Sequence, residues 1–204
     1  MSTLRCRIAP PAPVVLAICA INAFASEGIL AEPARYELDH EHVTVAFLVS
    51  HIGFARVLGT FGQVEGHFVF DEETGELSDI SINVVTSSVS THHEDRDNHL
   101  RSSDFLDSRR FPTMTYNAAS AERTGDRTFA IAGEIELRGV RRPLTLEATW
   151  NKSGEYPIGR DAYAIGVSAR GSLMRSDFGS TYALDNGWVG DRVEILIELE
   201  AQQQ

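Results

Sequence analysis

Cysteine is almost missing from this chain. Of its 204 residues only Cys6 and Cys19 are cysteine, and both lie in an N-terminal stretch expected to be cut away. The mature chain would then hold no thiol, which excludes disulfides, thiolate metal sites and cysteine nucleophiles. An exported domain without cross-links must bury a real core, and the ~180 residues left suffice for one domain of ordinary size. Positive charge is also short. Lys and Arg number 18 against 29 Asp and Glu, a net charge of −11, and Lys152 is the single lysine. Losing Arg5 and Arg7 with the leader would deepen that deficit. The balance argues against nucleic acid or an anionic membrane as an electrostatic partner, and solubility is its plainer meaning. Long hydrophobic runs are lacking: the apolar stretch Val14 to Ala25 is too short to span a bilayer. No HExxH metal motif and no GxSxG elbow occurs. No Ser, His and Asp set singles itself out, and no period of roughly 20 to 50 residues recurs.

Arg5 and Arg7, then the apolar run, then small-residue junctions at Ala23-Phe24-Ala25 and Ile29-Leu30-Ala31 have the form of a secretory signal peptide. The expectation is a leader over residues 1–25, with cleavage after Ala25 or Ala31, and a periplasmic or secreted mature protein. Pro10, Pro11 and Pro13 crowd the apolar segment and disfavour an uncleaved anchor. A lipoprotein junction at Cys19 is disfavoured by Ile18, which is large where a small residue is needed.

What remains reads almost entirely as strands. Val43, Val45, Phe47, Val49 and His51 occupy alternate positions, with Thr44 and Ser50 on the other side, and period 2 in β-branched and aromatic residues marks a strand with one apolar face. The same alternation returns in Ile80, Ile82 and Val84; in Met114 and Tyr116; from Phe129 to Leu137; from Leu144 to Trp150; from Tyr163 to Leu173; and from Val193 to Leu199. Connections carry Gly, Asp, Asn and Pro. About eight such strands with short turns predict an antiparallel all-β fold, either a sandwich or a closed barrel. Strand length favours the barrel, since runs of ten or more residues at about 3.3 Å each and a tilt near 40° enclose a depth of roughly 25 to 30 Å. An eight-stranded interior holds either side chains or one slim ligand. Gly133, Ala169 and Gly171 share the apolar parity; they mark barrel bends or leave room along the axis.

One segment, Thr91 to Pro112, breaks the pattern. Thr91 with Glu94 fits a capping box that opens a short helix, and Pro112 ends the insert. Such an insert suits one end of a barrel, with Leu100, Phe105 and Leu106 turned inward and Arg96, Asp97, Arg101, Asp104 and Asp107 pairing in a polar lid.

Several residues then carry a resemblance. Tyr36-x-Leu38-Asp39-x-x-His42, followed by Phe47, His51, Phe54, Gly59, Phe61 and Gly66, resembles the opening of the YceI-like family. The insert Asp95-Arg96-Asp97-x-His99-Leu100-Arg101-Ser102-x-Asp104-Phe105-Leu106-Asp107 with Phe111-Pro112 is similar to that family's most specific signature. Leu137-x-Gly139-Val140, Pro143-Leu144 and Arg175-Ser176-Asp177-Phe178-Gly179 also match. The likeness runs from Tyr36 to Glu200, placing one domain over 34–201. Val43 stands where the family often has serine, and the spacer between Phe178 and Val193 is this chain's own. The resemblance implies an exported, lipocalin-like eight-stranded barrel whose apolar tunnel binds an isoprenoid lipid of the quinone or polyprenyl phosphate type, as a carrier or store and not as an enzyme.

Strand parity then selects the wall of that tunnel: Val45, Phe47, Val49 and His51, with Phe54 just beyond; Ile82 and Val84; Met114 and Tyr116; Ile131 and Ile135; Ile165, Val167 and Leu173. No cofactor beyond the lipid and no stable membrane insertion is expected, and oligomeric state stays open, a homodimer included. The alternative from another class is a metal site or metal-dependent enzyme. His40 and His42 would share a strand face roughly 6.8 Å apart. His51 lies about 30 Å further along an unbent strand and cannot complete such a site.

Overall fold

The computed structural model describes residues 33–159 and 161–204; the expected leader over 1–25 and both cleavage junctions lie outside the described residues. The alternating segments form strands β1 (Ala34–His51), β2 (Ala55–Phe61), β3 (Val64–Asp71), β4 (Glu76–Val85), β5 (Val89–Ser90), β6 (Thr113–Ser120), β7 (Glu122–Arg123), β8 (Thr128–Leu137), β9 (Val140–Glu155), β10 (Tyr163–Met174) and β11 (Val189–Gln203). One helix, α1 (Glu94–Arg101), lies between β5 and β6, and Arg175–Phe178 forms a short 3-10 turn. All strand pairs are antiparallel, and β11 returns to pair with β1 from Tyr36↔Gln203 to His51↔Val189. β2 and β3 run in succession along β1. β4 continues toward β5, and β6 and β7 lie in turn beside β8. The eleven strands therefore make eight staves of a closed barrel, the fold that the alternation and the resemblance predict. Closure removes the edge that an open sheet would expose.

A wide bulge interrupts β1 where it pairs with β11. Between the pairs Leu38↔Ala201 and Val43↔Leu199, four residues of β1 oppose the single residue Glu200 of β11. Past this bulge β1 exchanges β3 for β2 as its other neighbour. A bulge adds local twist and bends the strand that carries it, as closure of a small barrel requires.

The two ends of the interior are filled differently. At the end where β1 starts and β11 finishes, large rings meet. Tyr36 stacks on Phe68 at 5.5 Å, and Phe70 meets Phe129 and Trp150 edge-on at 5.9 and 5.1 Å. Ile131, Ile165, Ala148 and Ala201 complete this plug. Glu72, in the β3–β4 turn, latches it. Its carboxylate accepts from Tyr36 Oη at 2.9 Å, Ser153 Oγ at 2.5 Å and Tyr163 Oη at 3.1 Å, tying β1, β9 and β10 together.

Gly133 and Gly171 mark close approach of the protein to itself. A Cβ on Gly133 would lie 2.6 Å from the Tyr116 ring, and one on Gly171 would lie 2.7 Å from Leu146. The space left by the missing side chains is taken by Tyr116 and Leu146, so neither glycine opens the axis. Over Gly133 the Tyr116 hydroxyl donates to the carbonyls of Ile131 at 2.8 Å and Leu144 at 3.3 Å.

Burial pushes the Tyr116 hydroxyl up to about 12. It also raises Tyr36, helped by the hydrogen bond to Glu72 and that carboxylate's charge. A raised folded pKa means that stability is full below the unfolded value of about 10 and is lost as pH rises above it, because the unfolded chain sheds protons that the folded one holds. Melting temperature should therefore fall above about pH 10, with tyrosinate absorbance rising as the chain unfolds, and Tyr36→Phe and Tyr116→Phe should each flatten that fall.

Candidate functional site

On the other side of Tyr116 the inward side chains are mostly aliphatic and too short to meet. They leave a cavity of about 390 Å³. Its walls include Val45, Phe47, Val49 and His51 from β1, Ile82 and Val84 from β4, and Met114 and Tyr116 from β6. Ile135 of β8 and Leu173 of β10 join them, so these ten sequence-selected positions come together around one space. The other four do not. Phe54 sits in the β1–β2 turn and is 92 % exposed. Ile131 and Ile165 are buried in the packed core around the aromatic plug, and Val167 packs against it. These three share the inward parity but lie too far along their staves to reach the open space.

The wall also draws on residues that the sequence selection left out. Leu144 and Leu146 come from β9, and Val193, Ile195 and Ile197 from β11. Their period-2 alternation carried the same signal as the chosen ones. Phe47 owes its place to Gly59, where a Cβ would stand 2.3 Å from the ring.

The insert covers the cavity end, as expected, with Leu100, Phe105 and Leu106 all facing the space. Its anchoring differs from the expected capping box. His93 takes the N-cap position and α1 starts at Glu94, while Thr91 bonds Asp97 instead. The Asp97 carboxylate accepts from Thr91 N at 2.7 Å and Thr91 Oγ1 at 2.5 Å. Arg96 donates to Thr91 Oγ1 and O at 2.7 and 2.9 Å. Arg101 donates to the carbonyls of Ser87 and Val89, both at 2.8 Å. Among the other expected lid charges, Asp104 accepts from the His99 ring at 2.9 Å.

Two further arginines sew the rim. Arg138 and Gly139 both have positive φ and form the two-residue turn between β8 and β9, a geometry that matches the right-handed twist of a hairpin. From there Arg138 reaches the carbonyls of Ser103, Phe105 and Phe178. Arg175, 5 % exposed, donates to the carbonyls of Gly190, Ser180, Tyr182 and Val189 at 2.7 to 3.0 Å. Burial lowers its pKa while Asp191 opposes that shift, and arginine stays cationic regardless. His99 sits edge-on to Phe105 at 5.0 Å and to Tyr182 at 4.9 Å. The cavity is thus apolar along its walls and polar at its lid, where Arg96, His99, Arg138 and Arg175 meet it.

The histidine pair proposed for a metal does not form a site. His40 and His42 lie in the β1 bulge, where strand spacing no longer holds. His42 instead approaches Asp39 at 3.0 Å and Glu200 at 3.9 Å, and ligand atoms of these three residues lie within 4.8 Å of one another. The buried Asp39 carboxylate also accepts from Glu41 N at 3.0 Å and from Gln202 Nε2 at 3.1 Å, which pins the bulge across β1 and β11. That is a structural use of the same residues.

Burial pushes the Asp97 carboxyl up, but the hydrogen bonds from Thr91 and the charges of Arg101 and Arg96 outweigh it, and its pKa lies below the ordinary range. A depressed folded pKa gives stability that is present above the unfolded value of about 3.9 and lost as pH falls below it. Protection factors of the α1 amides should therefore fall below about pH 4 while the barrel stays protected. Asp97→Asn should give the same looseness at neutral pH, at a cost of about 1–3 kcal/mol. Elemental analysis of protein never exposed to nickel resin should find no stoichiometric metal; one equivalent, lost on His42→Ala, would restore the metal reading.

Comparison with known proteins places this architecture. The model of the YceI-like domain matches residues 36–201. Protein YceI of Salmonella arizonae is 36 % identical over 176 residues, covering 85 % of this chain and 90 % of that protein. The solved YceI protein of Campylobacter jejuni superposes with a TM-score of 0.66 at 26 % identity, covering 76 % of this chain and 90 % of that one. A polyisoprenoid binding domain from Saccharophagus degradans implicated in plant cell wall breakdown shares the fold, with a TM-score of 0.63 at 12 % identity over 84 % of this chain and 99 % of that one. Barrel, lid and matched span agree: the chain belongs to the YceI-like family.

Proposed function

We propose that this protein binds one isoprenoid lipid, of the quinone or polyprenyl phosphate type, with its tail in the barrel cavity and its polar head at the lid. It acts as a carrier or store in the periplasm or outside the cell, and as a binding protein rather than an enzyme. The observation that carries this reading is the mostly apolar space of about 390 Å³ inside the barrel, with its charged groups confined to one end. A polyisoprenoid binding domain of the same fold in Saccharophagus degradans supports the choice of ligand class.

The physical chemistry agrees. Each buried CH₂-sized group contributes about 0.8 kcal/mol, so three or four isoprene units supply on the order of 10 kcal/mol, before the cost of ordering the chain. Strong polar contacts are not required, which suits a lid whose arginines are largely engaged with backbone carbonyls. The cavity volume lies toward the low end of the ~300–1,000 Å³ typical of ligand pockets. That favours a few enclosed units, with the rest of a longer tail passing the rim.

Organic-solvent extraction of the purified protein followed by mass spectrometry should yield an isoprenoid in near-stoichiometric amount. Val49→Trp, which fills the cavity from β1, should reduce that yield several-fold while leaving the far-ultraviolet circular dichroism unchanged. Repeated recovery of an empty barrel, or of fatty acids alone, would end this reading.

A further inference from the structure

Seven large hydrophobic side chains are exposed among the described residues, and six of them lie in the cavity half of the barrel; Ile158 is the exception. Four cluster around the opening. Phe54 is 92 % exposed at the tip of the β1–β2 turn, Trp188 55 %, Ile52 47 % and Tyr182 43 %. The Ile52 amide donates to the Trp188 carbonyl at 2.8 Å, which joins the two loops. Ile52, Tyr182 and Trp188 also line the cavity, so the outer apolar surface runs without a break into the inner one.

The backbone at Ile52 makes this costly. Its φ is +52°, followed by Gly53 at +74°. A β-branched residue is a genuine outlier there, and Asn or Asp before Gly is the stable choice for such a hairpin turn. Strain of this kind clusters at functional sites.

Charge is arranged to match. Residues 51–58 and 182–190 contain Arg56 and Asp185 as their only Arg, Lys, Asp or Glu, whereas the opposite end carries Asp71, Glu72, Glu73 and Glu76 in the β3–β4 turn region. These two loops therefore bring little charge of their own to a lipid headgroup layer, the guanidiniums of Arg138 and Arg175 beside them being engaged with backbone carbonyls. Trp and Tyr with apolar neighbours are the side chains that settle at a membrane–water interface. Partly exposed, the four side chains present well under the ~800 Å² that each partner of a standard-size complex buries, which disfavours a second copy as the occupant.

We propose that the rim formed by Ile52, Phe54, Tyr182 and Trp188 docks peripherally on a lipid bilayer, so that the cargo moves between membrane and cavity without crossing water. No described helix is long and apolar enough to cross a membrane, and attachment is by this rim. The inference rests on the isoprenoid-binding reading given above for its purpose, but it is tested independently.

The full mature protein is floated with vesicles of phosphatidylethanolamine and phosphatidylcholine, and tryptophan emission is recorded. Wild type should float and shift its emission to the blue, with little change on adding salt. Phe54→Ser should weaken partition about tenfold or more, as expected for one aromatic withdrawn from an apolar phase, while the extracted lipid stays unchanged because Phe54 lies off the cavity. Ile52→Asn should also weaken partition, yet melt no lower than wild type, which separates docking from folding. Wild type remaining in the aqueous fraction, or both variants floating like wild type, would overturn the proposal. So would a concentration-dependent dimer abolished by Phe54→Ser, which would make a second copy the occupant. An extract without isoprenoid, alongside rim-dependent flotation, would overturn the cargo assignment and not the docking.

Discussion

An eight-stranded barrel has a bore set by strand number and tilt, just wide enough for side chains to fill or for one slim guest. Everything distinctive here follows from how side-chain size varies along that bore. Where Tyr36, Phe68, Phe70, Phe129 and Trp150 point inward the interior is solid. Where Val45, Val49, Ile195 and Ile197 point inward it is hollow. Tyr116 forms the boundary, held over Gly133 by the carbonyls of Ile131 and Leu144 on the two neighbouring staves. The pairing of β1 with β11 makes the distinction matter, because an open sheet would let water or another chain into the gap.

Polar groups are used sparingly and mostly to hold irregular backbone. Glu72 latches the solid end, Asp97 and Arg101 fasten the lid to β5 and its preceding turn, and Arg138 and Arg175 gather the loops of the rim. Asp39 does the same for the β1 bulge. Loops cannot satisfy their own carbonyls as strands do, and the wide guanidinium fork reaches several at once. A chain with one lysine and many arginines suits a structure whose cations work in this way.

Much of the fold was legible in the sequence because alternation is a strong signal: the staves, their inward parity and the single insert all follow from it. Ten of the wall positions follow from the same parity. Alternation reports which face a residue takes and not its height along the barrel, so Ile131, Ile165 and Val167 were indistinguishable from Ile135 and Leu173. Phe54 matched the family's opening pattern, yet a residue in a turn has no parity to place it. The capping box failed because His93 occupies the N-cap and Asp97 competes for Thr91. Tyr182 and Trp188 lie in the spacer between Phe178 and Val193, where no period exists to read. The His40/His42 pairing assumed regular strand geometry through a bulge that only the register with β11 reveals.

The aromatic plug has a kinetic corollary. A vessel sealed at its base has one door, so through-flow is impossible. A ligand bound as proposed would have to back out along the path by which it came before a successor could start in, so its turnover would be strictly sequential. The slow step of such an exchange would belong to the departing molecule, and a higher supply of newcomers would not hasten it.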